Sequence, residues 1–375
     1  MPNHLPHHLQ IGLSFKDHSR GLSRNTYKLA AFRTIPLIRA WVGFCLSSLL
    51  TYSGEGETIS PDVTATTKVP PGFVLIEPAT FQQGSTNSET GRGSDELPHQ
   101  VQITRPYLIG RTEVTNAQML RVLKLGLERQ EILVGAGRIV LAPDMGAPGW
   151  ILVNLSHSDI TTKEKDLIVQ SGFEDHPCTG ITWYGALVYA NLLSIDTGIA
   201  PTINLTELSC NFSGNGFRLP TESEWEYACR AGSTAQFGST RSVRTNMTHN
   251  DETTVKSLAE SLAWFRDNSM VGKNKRSHQT ATKTPNIWGL YDMHGNVSEW
   301  CWDWYGPYNT AQSSDPSGPK EGWLRIVRGG DYVRETKRIR SAKRETGVPF
   351  NEHRTRGFRI ARTFGPSQTN ILSQE

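Results

Sequence analysis

Apolar and polar positions alternate along residues 99–116 (HQVQITRPYLIGRTEVTN), the period of half-buried strands, so this run reads as a strand pair. Just upstream, residues 72–85 (GFVLIEPATFQQGS) read as two short strands broken at Glu77-Pro78. The polar stretch 86–98, with Gly91 and Gly93, reads as a loop. The period then lengthens. Thr115 can cap a helix starting at Asn116, with Met119, Leu120 and Leu123 on one face. Helical spacing returns from Ile181 to Leu193 through Trp183, Leu187 and Ala190. The clearest start signal lies in residues 216–232 (GFRLPTESEWEYACRAG). There Pro220 stops a strand, Thr221 caps, and Glu224 three residues on completes a capping box. That helix buries Trp225 and Ala228, and Gly232 ends it. Residues 130–175 show no clean period and read as a variable insertion. Residues 285–305 alternate short apolar runs with glycine turns. The tail, 325–362, gives a strand (RIVRGG), a basic stretch (RETKRIRSAKR) and a final strand (GFRIAR).

The N-terminal region follows other rules. Residues 1–34 are polar and basic, with Lys16, Arg20, Arg24, Lys28 and Arg33. An apolar run at 40–50 (AWVGFCLSSLL) follows Arg39, and small residues surround Ser53-Gly54. A positive flank, a short apolar run and small residues are the pattern of a secretory signal peptide. The run falls short of the about 20 apolar residues that span a bilayer. Residues 1–53 are therefore expected to direct export to a periplasmic, extracellular or secretory-lumen location. Membrane attachment is expected only through an uncleaved N-terminal segment. Residues 54–70 are a Thr- and Pro-rich linker, the domain runs from about 71 to 363, and 364–375 form a tail.

Composition narrows the classes. Thirty-four Gly and 20 Pro, beside 10 Trp and 10 Tyr, predict a loop-rich fold that packs aromatics between short elements. A net charge of +3 is too small to argue for a nucleic-acid partner. The five cysteines include no CxxC pair, so a structural zinc site is not expected, and disulfide connectivity stays open.

Seven blocks now fall in order: GFVLIEPATFQQGS, YLIGRTEVTN, GITWYGALVYANLLS, GFRLPTESEWEYACRAG, PNIWGLYDMHGNVSEWCWDWYG, RIVRGG and GFRIAR. Together they resemble the sulfatase-modifying factor, or formylglycine-generating enzyme, family over about residues 71–363. The resemblance implies an α+β fold: a single C-type-lectin-like domain, loop-rich with little regular secondary structure. In the family's enzymes two cysteines shortly after the RGGS motif bind Cu(I), and O2 oxidises a substrate cysteine there. Here the first of those positions falls on Arg334 and the second near Arg338 or Ile339, while the serine position is Asp331. No cysteine follows Cys301. Soft thiolates select Cu(I), and a guanidinium opposes it. Copper is therefore not expected; iron is not excluded. Cys229 matches a family cysteine whose partner position is Ser341, and Cys210 one whose partner position is Ile360.

The resemblance also implies a calcium loop in LYDMHGNVSEW (290–300), with carboxylates from Asp292 and Glu299 and backbone carbonyls from Gly295 and Val297. The other reading is a hairpin whose carboxylates cap its turn. Asp331, Tyr332, Arg334 and His353 are the candidates for a groove that takes a protein or peptide segment, or a small ligand. Arg218, Arg328, Arg340, Arg344 and Arg359 either line an anion-binding groove or brace loops through acids such as Glu222, Glu224 and Glu226. His294 and His353, each alone in a loop, are expected at the surface. Three functions stay open: a binding module or pseudoenzyme, an oxidoreductase with different chemistry of the cysteine-free tailoring type, and a formylglycine-generating oxidase acting on sulfatases.

Overall fold

Three threonines open three helices. In the computed structural model, Thr115, Thr182 and Thr221 each accept a backbone N–H at the start of α1 (Asn116–Glu128), α2 (Trp183–Asp196) and α3 (Glu222–Arg230). Gln118 and Glu224 return a bond to the cap backbone, closing two capping boxes. A fourth helix, α4 (Glu252–Leu262), was not anticipated, although Val255, Leu258 and Leu262 carry a helical period. The structure describes residues 69–145, 149–238, 240, 252–311 and 313–365. The expected signal peptide and most of the expected linker lie outside them. No helix among the described residues is long and apolar enough to cross a membrane.

The strands are short. The central one, Ser298–Trp304, lies antiparallel to Arg325–Arg328 and parallel to Arg356–Gly357, and Glu345–Gly347 extends the sheet on the far side of Arg325–Arg328. A second sheet joins Phe73–Ile76, Tyr107–Gly110 and Ala361–Thr363. The alternating run at 99–116 does hold two strands, but they do not pair with each other. His99–Ile103 pairs with Ala79–Gln83, whereas Tyr107–Gly110 joins the second sheet. The insertion at 130–175 is a β structure of four-residue strands. Ile132–Gly135, Arg138–Leu141 and Ile151–Asn154 form one sheet, and Ile160–Lys163 with Asp166–Val169 a hairpin. Ala136 and Gly137, both left-handed (φ 50° and 71°), make the two-residue turn that hairpin twist favours.

Tryptophans tie these elements into the core, and the indole N–H groups of the three most deeply buried have partners. Trp183 donates to the Cys301 carbonyl at 2.9 Å, Trp300 to the Ile181 carbonyl at 3.2 Å, and Trp225 to Glu299 Oε2 at 2.7 Å. Arg325 lies between the rings of Trp183 and Trp304, at 3.6 and 3.4 Å. Truncating such a core tryptophan costs about 3–5 kcal/mol. The α+β, loop-rich architecture thus agrees with expectation, and the central strand carries both regions described next.

Candidate functional site: an arginine-lined cleft and a buried carboxylate pocket

After strand Arg325–Arg328 the chain must reverse. Gly329 and Gly330 both take left-handed φ (87° and 68°), and a Cβ on Gly330 would press on the Arg338 carbonyl. The turn delivers residues 331–338 to the rim of a cleft of about 330 Å³. Arg334, Arg338, Arg344 and Arg356 line it, together with Asp95, Tyr305, Glu345 and Thr346. The four free cysteines of the described residues lie elsewhere.

The four arginines differ in their partners. Arg344 is fully engaged: its Nε and a terminal nitrogen hold Glu222 at 2.8 and 2.9 Å, and it stacks on Tyr308 at 4.0 Å. Arg334 approaches Asp331 at 3.5 Å and Glu345 at 3.6 Å, and Arg338 approaches Glu345 at 3.5 Å. These contacts are too long for good hydrogen bonds. Arg356 lies over the Trp300 ring at 4.5 Å and has no carboxylate within ion-pair distance among the described residues. Buried Nε atoms of Arg334 and Arg356, and Oε1 of Glu345, lack hydrogen-bond partners.

Of the expected groove residues, Arg334 lines the cleft and Asp331 backs it, accepting from the Val333 N–H at 2.9 Å. Tyr332 and His353 do not line it. The Tyr332 N–H is tied to the Asn296 carbonyl and its hydroxyl donates to the Arg354 carbonyl, so the ring is buried. His353 is exposed in the turn before Thr355, which it bonds through Nδ1. Of the two candidates for the second cysteine position, Arg338 lines the cleft and Ile339 is buried in a cluster with Phe237 and Phe265.

The calcium-loop residues occupy a separate, buried pocket. Asp292, Gly295 and Asn296 all have positive φ (56°, 78° and 52°), and a Cβ on Gly295 would collide with the Trp264 carbonyl. Asp292 Oδ2 accepts from the Ala281 N–H at 2.8 Å, while its buried Oδ1 has no partner. Glu113, from the YLIGRTEVTN block, joins this pocket and was not anticipated. Its carboxylate accepts from the Val297 N–H at 3.3 Å and the Asn296 amide at 3.5 Å. Burial, then the charges of Asp292 and Glu299, push the Glu113 carboxyl well above its usual range; burial raises Asp292 to about 6. Glu299 is differently placed, with both oxygens held by Arg359 and one also by Trp225. Among the described residues, no three His, Cys, Asp or Glu side chains converge as a metal cluster. The all-oxygen chemistry and the orphaned Asp292 Oδ1 fit a hard cation at Asp292 and Glu113. Glu299 fits less well, since its oxygens are already engaged.

The remaining arginines brace the fold. Arg218 pairs with Glu224, Arg328 with Glu226 and Glu222, Arg340 with Glu96 and Glu89, and Arg359 with Glu299. His294 contradicts the surface expectation. It is buried, with Nδ1 donating to the Ile339 carbonyl at 2.7 Å and Nε2 accepting from the Gly238 N–H at 3.1 Å. Burial lowers its pKa to about 4. Cys229 lies 3.6 Å from Ser341 Oγ, and burial lifts its thiol to about 12, which disfavours the thiolate.

Comparison with known proteins agrees with this architecture. Residues 60–364 match the Sulfatase-modifying factor enzyme 1-like domain. The formylglycine-generating enzyme of Streptomyces coelicolor is 29% identical over 319 residues, covering 77% of this chain and 88% of its own length. The serine/threonine-protein kinase pkn1 of Chlamydia pneumoniae is 30% identical over 298 residues, but this chain spans only 38% of that relative's length. Among solved structures, Treponema denticola variable protein 1 superposes with a TM-score of 0.55 at 26% identity, covering 78% of this chain and 94% of that one. PvdO from Pseudomonas aeruginosa shares the fold, with a TM-score of 0.53 at 23% identity and coverage of 78% and 94%. The chain belongs to the sulfatase-modifying factor, or formylglycine-generating enzyme-like, domain family.

Proposed function

We propose that this family domain is a binding module that does not carry out copper-dependent cysteine oxidation. The observation that carries the reading is Arg334, a guanidinium in the cleft at a position where the family resemblance implies a Cu(I)-binding thiolate. Arg338, near the second position, adds another positive charge. A cleft of these dimensions, rimmed by Tyr305 and floored by charged side chains, suits one segment of a protein or peptide, or a small ligand. The kinase name of the chlamydial relative is not carried over, because this chain spans 38% of that protein.

Calcium is proposed as a structural ion of the second pocket. Asp292 and Glu113 would hold it, with the Gly295 and Val297 carbonyls as further oxygen donors. Its charge would relieve the crowding of buried carboxylates. Export is proposed from the basic flank and the apolar run at 40–50.

The test is capture of peptides on the immobilised full chain, with and without Arg334→Cys, followed by mass analysis of what elutes. Peptides retained by the unaltered chain and released chemically unchanged support a binding module. Retained peptides that elute with an oxidised cysteine contradict it.

A further inference from the structure

The cleft has an imbalance of charge that the fold does not correct. Around it, six guanidiniums (Arg230, Arg328, Arg334, Arg338, Arg344 and Arg356) face five carboxylates (Asp95, Glu222, Glu226, Asp331 and Glu345). The adjoining group of Arg340, Lys343, Glu89 and Glu96 closes on itself, two against two. Asp303 beneath is already engaged by the Glu222 N–H at 2.7 Å, and burial raises its carboxyl and favours the neutral acid.

The surplus cation is at an identifiable place. Arg344 and Arg328 are bound by Glu222 and Glu226. Arg334 and Arg338 share Glu345 at 3.5–3.6 Å, beyond good hydrogen-bond length. Arg356 makes no ion pair among the described residues: it rests on the Trp300 ring and faces the cleft, with Glu345 and Asp331 acting on it only at longer range. Stacking on an aromatic ring fixes the plane of a guanidinium and leaves its edge for a planar, two-oxygen acceptor. The Nε of Arg356 is buried without a hydrogen-bond partner, and that of Arg334 has only the long 3.5 Å contact to Asp331. Such donors are costly when unmade and favour a ligand that completes them.

We infer that the cleft recognises a carboxylate, the side chain of an acidic residue in a peptide segment, anchored by Arg356 and Arg334. The inference rests on the binding-module reading and names the chemistry of its ligand. One negative charge balances the single surplus cation, whereas a phosphate dianion would overshoot it. Asp95 and Glu345 at the rim disfavour ligands of higher negative charge.

The test uses the full chain, immobilised, and two pools of short peptides, randomised over neutral residues and fixed at the centre as Glu or as Gln. The Glu pool is expected to be retained about tenfold better at low salt, with the preference shrinking as salt rises. Arg356→Gln should abolish the preference. Arg334→Gln, a change at a more exposed residue, supplies the same readout should the first variant fail to fold. Arg129→Gln, an exposed pair with Glu131, should change nothing. Equal retention of both pools, lost in Arg334→Gln, would overturn the carboxylate inference and leave the binding-module reading standing. Retention of neither pool would overturn both. Displacement of the Glu pool by inorganic phosphate more readily than by acetate at equal concentration would make the site one for tetrahedral anions and overturn the inference.

Discussion

Arg359 grips both oxygens of Glu299, through Nε at 2.6 Å and a terminal nitrogen at 2.7 Å, and both side chains are fully buried. The pair joins the last block of the fold, GFRIAR, to the central strand, and Arg359 also donates to the Gly110 and Tyr291 carbonyls. Removing one partner strands a buried charge, which costs about 3–5 kcal/mol. Glu299→Gln should therefore lower the unfolding free energy by about that much in urea titration at neutral pH. Replacing both residues by apolar ones of similar volume should cost less than either single change. A single variant as stable as the unaltered chain would mean that the pair is not buried as described.

The 3.6 Å between Cys229 Sγ and Ser341 Oγ predicts that Ser341→Cys closes a disulfide with Cys229. Air oxidation followed by thiol titration under denaturing conditions should show both cysteines consumed. The loop closed is long, so stabilisation of up to about 4 kcal/mol is expected from the chain-entropy argument. Of the variant's six cysteines four should titrate as free thiols, and six would show that the two side chains do not meet.

Asp303 predicts a pH dependence. It accepts from the Glu222 N–H at 2.7 Å, yet burial and then the Glu222 charge raise it from the usual carboxylate range to about 8. The folded state thus prefers the protonated acid. Stability from this group is greatest at low pH and declines as pH rises from about 4, the unfolded value, through about 8. Asp303→Asn keeps an acceptor for the Glu222 N–H and should flatten the fall of melting temperature between pH 6 and 9. His294 acts in the opposite sense. With its pKa depressed to about 4, it contributes stability above about 6.5, and that stability is lost as pH falls from there toward 4. An Asp303→Asn profile parallel to that of the unaltered chain would contradict this assignment.

Calcium should raise the melting temperature of the full chain, and a chelator should lower it, if Asp292 and Glu113 hold the ion. Glu113→Gln should abolish the shift. Because burial raises both carboxylates and the ion binds their charged forms, the shift should be larger at neutral than at acidic pH. A calcium response unchanged in Glu113→Gln would place the ion elsewhere.

Local chemistry made much of the fold readable in advance. Thr115 caps the helix that begins at Asn116, Thr221 caps where its spacing to Glu224 said it would, and Pro78 separates two strands as expected. Four-residue strands at 130–175 are too short to display a period, so that region was not assigned. The strand run at 99–116 was recognised but not its pairing, because partners lie far along the chain. The same limit hid Glu113. Its neighbours Asp292 and Val297 are brought to it only by folding, although it lay within a quoted block. Arg334 could be placed by the glycine pair before it. The isolation of Arg356 could not, since it depends on where every carboxylate ends up.

The decisive measurement exposes the full chain, loaded with Cu(I) and then dialysed, to O2 and a peptide bearing C-x-P-x-R. Retained copper is read by plasma mass spectrometry, and the peptide by its mass. With Arg334 at the first thiolate position that the resemblance implies and Arg338 beside the second, copper should be lost on dialysis and the peptide cysteine should stay a thiol. Stoichiometric copper together with conversion of that cysteine to an aldehyde would contradict the reading and require a copper site built from other residues.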